Sequence, residues 1–191
     1  MTSGEIFHEL LIAGFGGQGV VLAGRLLATA ALAEGREVAW APSYGPEMRG
    51  GAVHCSIIVS SHRIGSPEVS RADSLVIMDN ASLERCRHRL KPRGLLILNT
   101  SLASAPDDWD CELIEVPANA VAEALGEPRV ANVLMLGAFL GLRPIIAMES
   151  VVQAMRLFAG KAREHLLDVN IRALARGAEI AAEARAKSGS S

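Results

Sequence analysis

Six residues, Gly14-Phe15-Gly16-Gly17-Gln18-Gly19, follow the apolar run Leu10–Ala13 and open onto a small-residue stretch with helical periodicity. Glycines at 14, 16 and 19 satisfy G-x-G-x-x-G, a strand–turn–helix device for anions. Missing side chains permit the tight turn and let backbone N–H groups and the helix dipole approach a phosphate or carboxylate. A turn that merely packs a helix closely on a sheet selects glycine as well, so the motif alone leaves both readings open. Nicotinamide binding would add an acidic residue about twenty positions on, at the end of the second strand. The expected second strand, Val38–Ala41, runs into Pro42-Ser43, and no Asp or Glu stands between Glu37 and Glu47.

A second unusual stretch is Pro42-Ser-Tyr-Gly-Pro-Glu-Met-Arg-Gly-Gly51. Its prolines and glycines exclude a regular helix or strand, so it is a shaped loop, and loops fixed between rigid strands are where binding groups sit. Arg49 is its candidate charged contact, because a guanidinium clamps a carboxylate or phosphate at two points. Tyr44 and Glu47 shape the loop, and His54 is read as a locally satisfied strand histidine. No general acid or base can be nominated.

The elements that must position these residues follow a βα pattern. Strands are expected at Leu10–Ala13, Val38–Ala41, Ala52–Ser60, Leu75–Met78, Leu95–Leu98 and Leu113–Val116. Helices are expected at Gly19–Glu34, Ser82–Leu90, Asn119–Leu125, Asn132–Leu142, Glu149–Phe158 and Ala162–Ala186. The prediction is a single three-layer α/β/α domain over residues 1–191, with an ordered core from about 6 to 186 and a polar tail, Lys187–Ser191. Its sheet is mostly parallel and its first βα unit is Rossmann-like. Val53, Cys55, Ile57 and Val59 alternate with His54, Ser56, Ile58 and Ser60, which marks that strand as antiparallel or near an edge.

The 191 residues are 50% hydrophobic and 21% charged, with net charge −2, ample material for a packed core. The basic cluster Arg85, Arg87, His88, Arg89, Lys91 and Arg93 is read as complementing a helix end, so no nucleic-acid partner is expected. Cys55, Cys86 and Cys111 lack metal-ligand spacing and read as reduced thiols of a cytoplasmic protein. No signal peptide is evident, and the longest apolar run, Val130–Leu142, falls short of the ~20 residues needed to cross a bilayer, so no membrane contact is expected. A chain rich in Ala, Leu and Val predicts self-association of the free chain as a two-fold dimer, with the Tyr44–Gly51 loop its most mobile element.

The ordered set Gly14–Gly19, Tyr44–Gly51, Ile64-Gly-Ser-Pro67, Ala72-Asp73, Asn132-Val133 with Gly137, and Asn170 with Ala173 and Gly177 resembles the gamma subunit of 2-oxoacid:ferredoxin oxidoreductases. The 2-oxoglutarate, pyruvate and ketoisovalerate types share these motifs, and the 2-oxoglutarate type is the nearest in look. The resemblance implies part of an enzyme that is inactive alone. The complex oxidatively decarboxylates a 2-oxoacid to an acyl-CoA, using thiamine diphosphate with magnesium, iron–sulfur clusters and coenzyme A, with ferredoxin as electron acceptor. Alpha, beta and ferredoxin-like delta subunits are the implied partners, and this chain alone would bind no cofactor. Its implied contribution is a subunit interface and a CoA-proximal anion cradle at Gly14, Gly16, Gly17, Gln18, Gly19 and Arg49. Two other readings stay open: a stand-alone nucleotide-binding oxidoreductase, and an interaction module whose glycine turn only packs against a partner.

Overall fold

The computed structural model describes residues 5–45, 51–105, 109–159 and 165–188. Six strands form one sheet: β1 (Phe7–Phe15), β2 (Glu37–Tyr44), β3 (Ala52–Ser60), β4 (Ala72–Ile77), β5 (Leu90–Asn99) and β6 (Glu112–Val116). Their spatial order is β2-β3-β1-β4-β5-β6. β1, β4, β5 and β6 run parallel, whereas β3 is antiparallel to both β1 and β2. The chain therefore leaves β1 through α1 (Val20–Ala33), lays down β2 two places away, and returns through β3 to fill the gap.

The antiparallel direction of β3 agrees with its alternating sequence, but β3 lies inside the sheet and is not its edge. Both of its faces are buried from Cys55 to Ser60. On the second face Ile58 packs in a cluster with Ile64 and Val69 of the following segment, and Ser56 and Ser60 are buried there.

The two faces of the sheet are covered unequally. On one, α1 packs with α4 (Ala131–Leu142), α5 (Met148–Ala159), α6 (Leu167–Ser188) and the short α3 (Ala118–Ala124) over Leu10, Ile12, Ile57 and Ile97. On the other, α2 (Asn80–Cys86) and connecting segments cover Leu11, Ala13, Leu75 and Leu98. The helix expected to reach Leu90 stops at Cys86 and passes through a 3-10 turn, Arg87–Arg89, into β5. Asp79 caps its start, accepting from the Ser82 N–H at 2.9 Å. Of the expected Ala162 start of the last helix, residues 162–164 lie outside the described residues. The described helix begins at Leu167 and continues through Lys187 to Ser188, two residues past the expected Ala186 end.

Helix α4 is apolar all round and buried. It meets α6 at backbone contact: a Cβ on Gly137 would strike the Leu174 carbonyl, and one on Gly177 the Leu134 carbonyl. Side chains alone do not set this crossing, because three glycines, including Gly141 against Ala178, let the two backbones touch.

At the amino-terminal ends of the strands His8 reaches Ser74 Oγ at 3.1 Å and packs on Phe139, its ring centroid 5.5 Å away. Burial above all lowers its pKa to about 4; Arg143 and Lys91 lower it further while Asp73 opposes them. His8 is therefore neutral in the fold but takes up a proton below about 6.5 when unfolded. Stability should be full above pH 6.5 and fall as pH drops towards 4, by at most about 3 kcal/mol. Urea midpoints measured across that window check this, and a His8→Gln variant should lose that part of the pH slope.

Candidate functional site

The glycine turn lies at the carboxyl ends of the parallel strands, between β1 and α1. Gly17 and Gly19 have φ of +107° and +78°, the left-handed region that favours glycine. Gly14 is a packing glycine: a Cβ there would run into the Gln18 carboxamide oxygen, Val20 and Met78. At Gly19 it would strike Asn132, whereas at Gly17 nothing lies within 4 Å. Of the turn glycines placed this way, only Gly17 combines left-handed backbone with open space in front.

Gln18 serves the turn itself. Its Oε1 accepts from the Phe15 N–H at 2.9 Å and its Nε2 reaches the Met78 carbonyl at 3.5 Å. Two further N–H groups are engaged internally, Gly16 to the Gly51 carbonyl at 2.9 Å and Gln18 to the Phe15 carbonyl at 3.2 Å. Those of Gly17 and Gly19, with those of Val20, Val21 and Leu22 in the first turn of α1, donate to no acceptor among the described residues. The anion-binding capacity of the turn is thus concentrated at Gly17 and the start of α1.

Across from the turn, Asn132 Nδ2 donates to the Gly19 carbonyl at 3.0 Å. That bond fixes the amide orientation, since the reverse would set two oxygens against each other. Asn132 Oδ1 is then left buried with no donor among the described residues. Asn132 also lines a cavity of about 320 Å³ with Leu26, Met155, Phe158 and Asn170.

The same edge is pinned by Asn99 at the end of β5, which sequence reasoning did not single out. Its Nδ2 donates to the Met78 carbonyl at 3.0 Å and to Asn119 Oδ1 at 2.8 Å, and its Oδ1 accepts from the Ser101 and Ala118 N–H groups. Its only sequence signal is a polar residue closing the apolar run Leu95–Leu98.

Arg49 and Glu47 lie outside the described residues, as does the rest of the Tyr44–Gly51 loop between Gly45 and Gly51. The ends of that loop are fixed by β2 and β3, with the Gly45 N–H donating to the Ala52 carbonyl at 2.6 Å. Tyr44 is 66% exposed. A dinucleotide site lacks support at β2: its carboxyl end is Ser43-Tyr44, and β3 separates it from β1. Cys55 and Cys86 are buried, with burial pushing the Cys55 thiol up to about 12. Among the described residues no three His, Cys, Asp or Glu side chains gather as a metal site would require. None of the described helices is long and apolar enough to cross a membrane.

Residues 9–180 match the sequence model of the family described as pyruvate ferredoxin/flavodoxin oxidoreductase. The chain belongs to this family. Among curated family members it is 40% identical over 174 residues to the ketoisovalerate oxidoreductase subunit VorA of Methanothermobacter thermautotrophicus, a match covering 90% of this chain and 36% of that one. The chain thus spans about a third of that relative's length. To the 2-oxoglutarate synthase subunit KorC of Methanocaldococcus jannaschii it is 34% identical over 179 residues, covering 92% of this chain and 94% of that one. Among solved structures, the gamma subunit of a keto/oxoacid ferredoxin oxidoreductase from Geobacter sulfurreducens superposes with a TM-score of 0.79 at 27% identity, over 93% of this chain and 99% of that one. A 2-oxoglutarate:ferredoxin oxidoreductase from Magnetococcus marinus, solved with 2-oxoglutarate, coenzyme A and succinyl-CoA, shares the fold with a TM-score of 0.86 at 22% identity, over 93% of this chain and 31% of that one. The family thus carries the same unit both as a separate subunit and within longer chains.

Proposed function

We propose that this chain is the gamma-type component of a cytoplasmic 2-oxoacid:ferredoxin oxidoreductase, which converts a 2-oxoacid such as 2-oxoglutarate to an acyl-CoA. The observation that carries this reading is the end-to-end match to a separate 2-oxoglutarate synthase subunit, 92% of one chain on 94% of the other. Thiamine diphosphate, magnesium and the iron–sulfur clusters belong on the alpha, beta and ferredoxin-like delta partners. This chain supplies a docking surface and, at its carboxyl edge, a cradle for coenzyme A. Exposed Phe15, Tyr44 and Leu102 at that edge suit a subunit interface, and the same apolar surface favours two-fold self-association of the free chain.

Within the cradle, Gly17, Gly19 and the start of α1 present N–H groups to a phosphate, Gly14 and Gln18 hold the turn in shape, and Gly16 ties it to Gly51. Arg49, which lies outside the described residues, is the proposed two-point anion clamp.

Coenzyme A kinetics of the assembled enzyme test this. Gly17→Val should raise the apparent KM for coenzyme A about tenfold or more by closing the approach to the N–H groups. It should also cost about 1–3 kcal/mol of stability, because valine is strained at that φ. Gly35→Val carries comparable strain at the far end of α1, where φ is +74° and space is open, so it should lower stability and leave the KM unchanged. Arg49→Lys should raise the KM for coenzyme A or the oxoacid without destabilising the fold. Unaltered kinetics in both Gly17→Val and Arg49→Lys would leave the interaction-module reading in their place.

A further inference from the structure

On the α2 side of Gly14 the carboxyl edge holds a second depression, of about 240 Å³, with no residue of α1 in its wall. Arg85, Arg89, Ser82, His54 and Tyr44 line it, and no Asp or Glu does so among the described residues. Arg85 lies in the last turn of α2 and Arg89 at the end of the 3-10 turn that follows, and both line the same space. One N–H of Arg89 donates to the Val69 carbonyl at 2.6 Å, which fixes the guanidinium and leaves its other donors available. Arg85 makes no hydrogen bond or ion pair with any described residue. Its position in the last turn of α2 suits the helix dipole, as the sequence suggests, but the dipole does not satisfy the fork.

From this arrangement we infer that the depression is a second anion site, which takes the phosphate of a small phosphorylated ligand. Two arginines on one depression, with no carboxylate among the described lining residues, place positive charge in a partly enclosed space, where the field is focused. Planar forks match phosphate oxygens in two-point fashion. Burial, and after it the Arg89 charge, keep the His54 pKa below its ordinary value, so the imidazole is neutral and either accepts from or donates to the ligand without adding charge. The exposed Tyr44 ring and the walls at Ala52 and Val53 offer apolar contact to the remainder of the ligand. Concavity and small size favour a small molecule over a partner's surface.

The site is independent of the coenzyme A cradle, whose free N–H groups lie at Gly17 and the start of α1. Titration calorimetry of the Gly17→Val chain, in which the cradle is closed, with inorganic pyrophosphate at low ionic strength reads this site by itself. Arg85→Gln and Arg89→Gln should each weaken pyrophosphate binding about tenfold or more. Arg172→Gln, in an exposed pair with Asp168 on α6, should leave it unchanged. Arg89→Gln also loses the Val69 contact, so Arg85→Gln, which breaks no internal bond, is the decisive variant. The inference is overturned if the Gly17→Val chain does not bind pyrophosphate, or if adding Arg85→Gln to it leaves that binding unchanged. Acetate binding as tightly as pyrophosphate would also overturn it, in favour of a carboxylate site. So would weakened assembly of the arginine variants with partner subunits where pyrophosphate does not bind, which would assign the pocket to a partner's acidic side chain.

Discussion

Replacing Gly177 with valine is expected to destabilise the chain by at least about 3 kcal/mol, a large part of the ~5–15 kcal/mol that holds a domain folded. The reason lies in the backbone. The hydrogen of Gly177 faces the Leu134 carbonyl and the Ala138 N–H, so any Cβ must push α6 away from α4. Flexible side chains can give way to an added methyl group, but a carbonyl in the middle of a fully buried helix cannot. Separating the helices would open the core built on Leu134, Met135, Phe139 and Leu174. Urea unfolding of Gly177→Val beside Gly65→Ala, where an added Cβ meets nothing within 4 Å, measures the difference. The control should shift by less than about 1 kcal/mol. A Gly177→Val chain as stable as the control would mean that α4 and α6 do not pack at this distance.

That glycine crossing was only partly legible in the sequence. Gly137 and Gly177 belong to the motif set that carried the family resemblance, yet nothing in their local sequence shows that they face each other. The strands and helices were legible because apolar periodicity is local: the unbroken runs Leu75–Met78 and Leu95–Leu98 lie in parallel strands covered on both faces. Alternation in β3 correctly pointed to antiparallel pairing but suggested an open face, because a serine reads as polar whether or not a distant segment covers it. Ser56 and Ser60 are buried in the folded chain, where Ile58 between them clusters with Val69 and Ile64, a tertiary fact with no local signature.

The candidate site divides along the same line. G-x-G-x-x-G announced a turn at the carboxyl edge, and the turn is there, with Gly17 and Gly19 left-handed as glycine permits. The division of labour within it was hidden. Gln18, a natural guess for a ligand contact, bonds Phe15 and Met78, and the orphaned acceptor belongs to Asn132, over a hundred residues away. Arg85 and Arg89 were visible as a basic cluster, but only the folded chain brings Tyr44 and His54 to the same depression.

The central claim is that the chain is an obligatory part of an oxoacid-oxidising assembly and has no catalysis of its own. It makes a prediction with an all-or-none effect. Among the described residues no three His, Cys, Asp or Glu side chains gather as a metal site would require, and the glycine turn offers unengaged N–H groups. Purified alone, the chain should be colourless and inert towards 2-oxoacids. With its alpha, beta and delta partners it should complete an assembly that reduces ferredoxin in the presence of 2-oxoacid and coenzyme A. The most direct measurement is ferredoxin reduction by the partner subunits with and without this chain, across 2-oxoglutarate, pyruvate and 2-oxoisovalerate. The account predicts that coenzyme A-dependent reduction falls to background when the chain is omitted and returns when it is added back. Equal turnover without the chain, or oxoacid-dependent dye reduction by the chain alone, would contradict it.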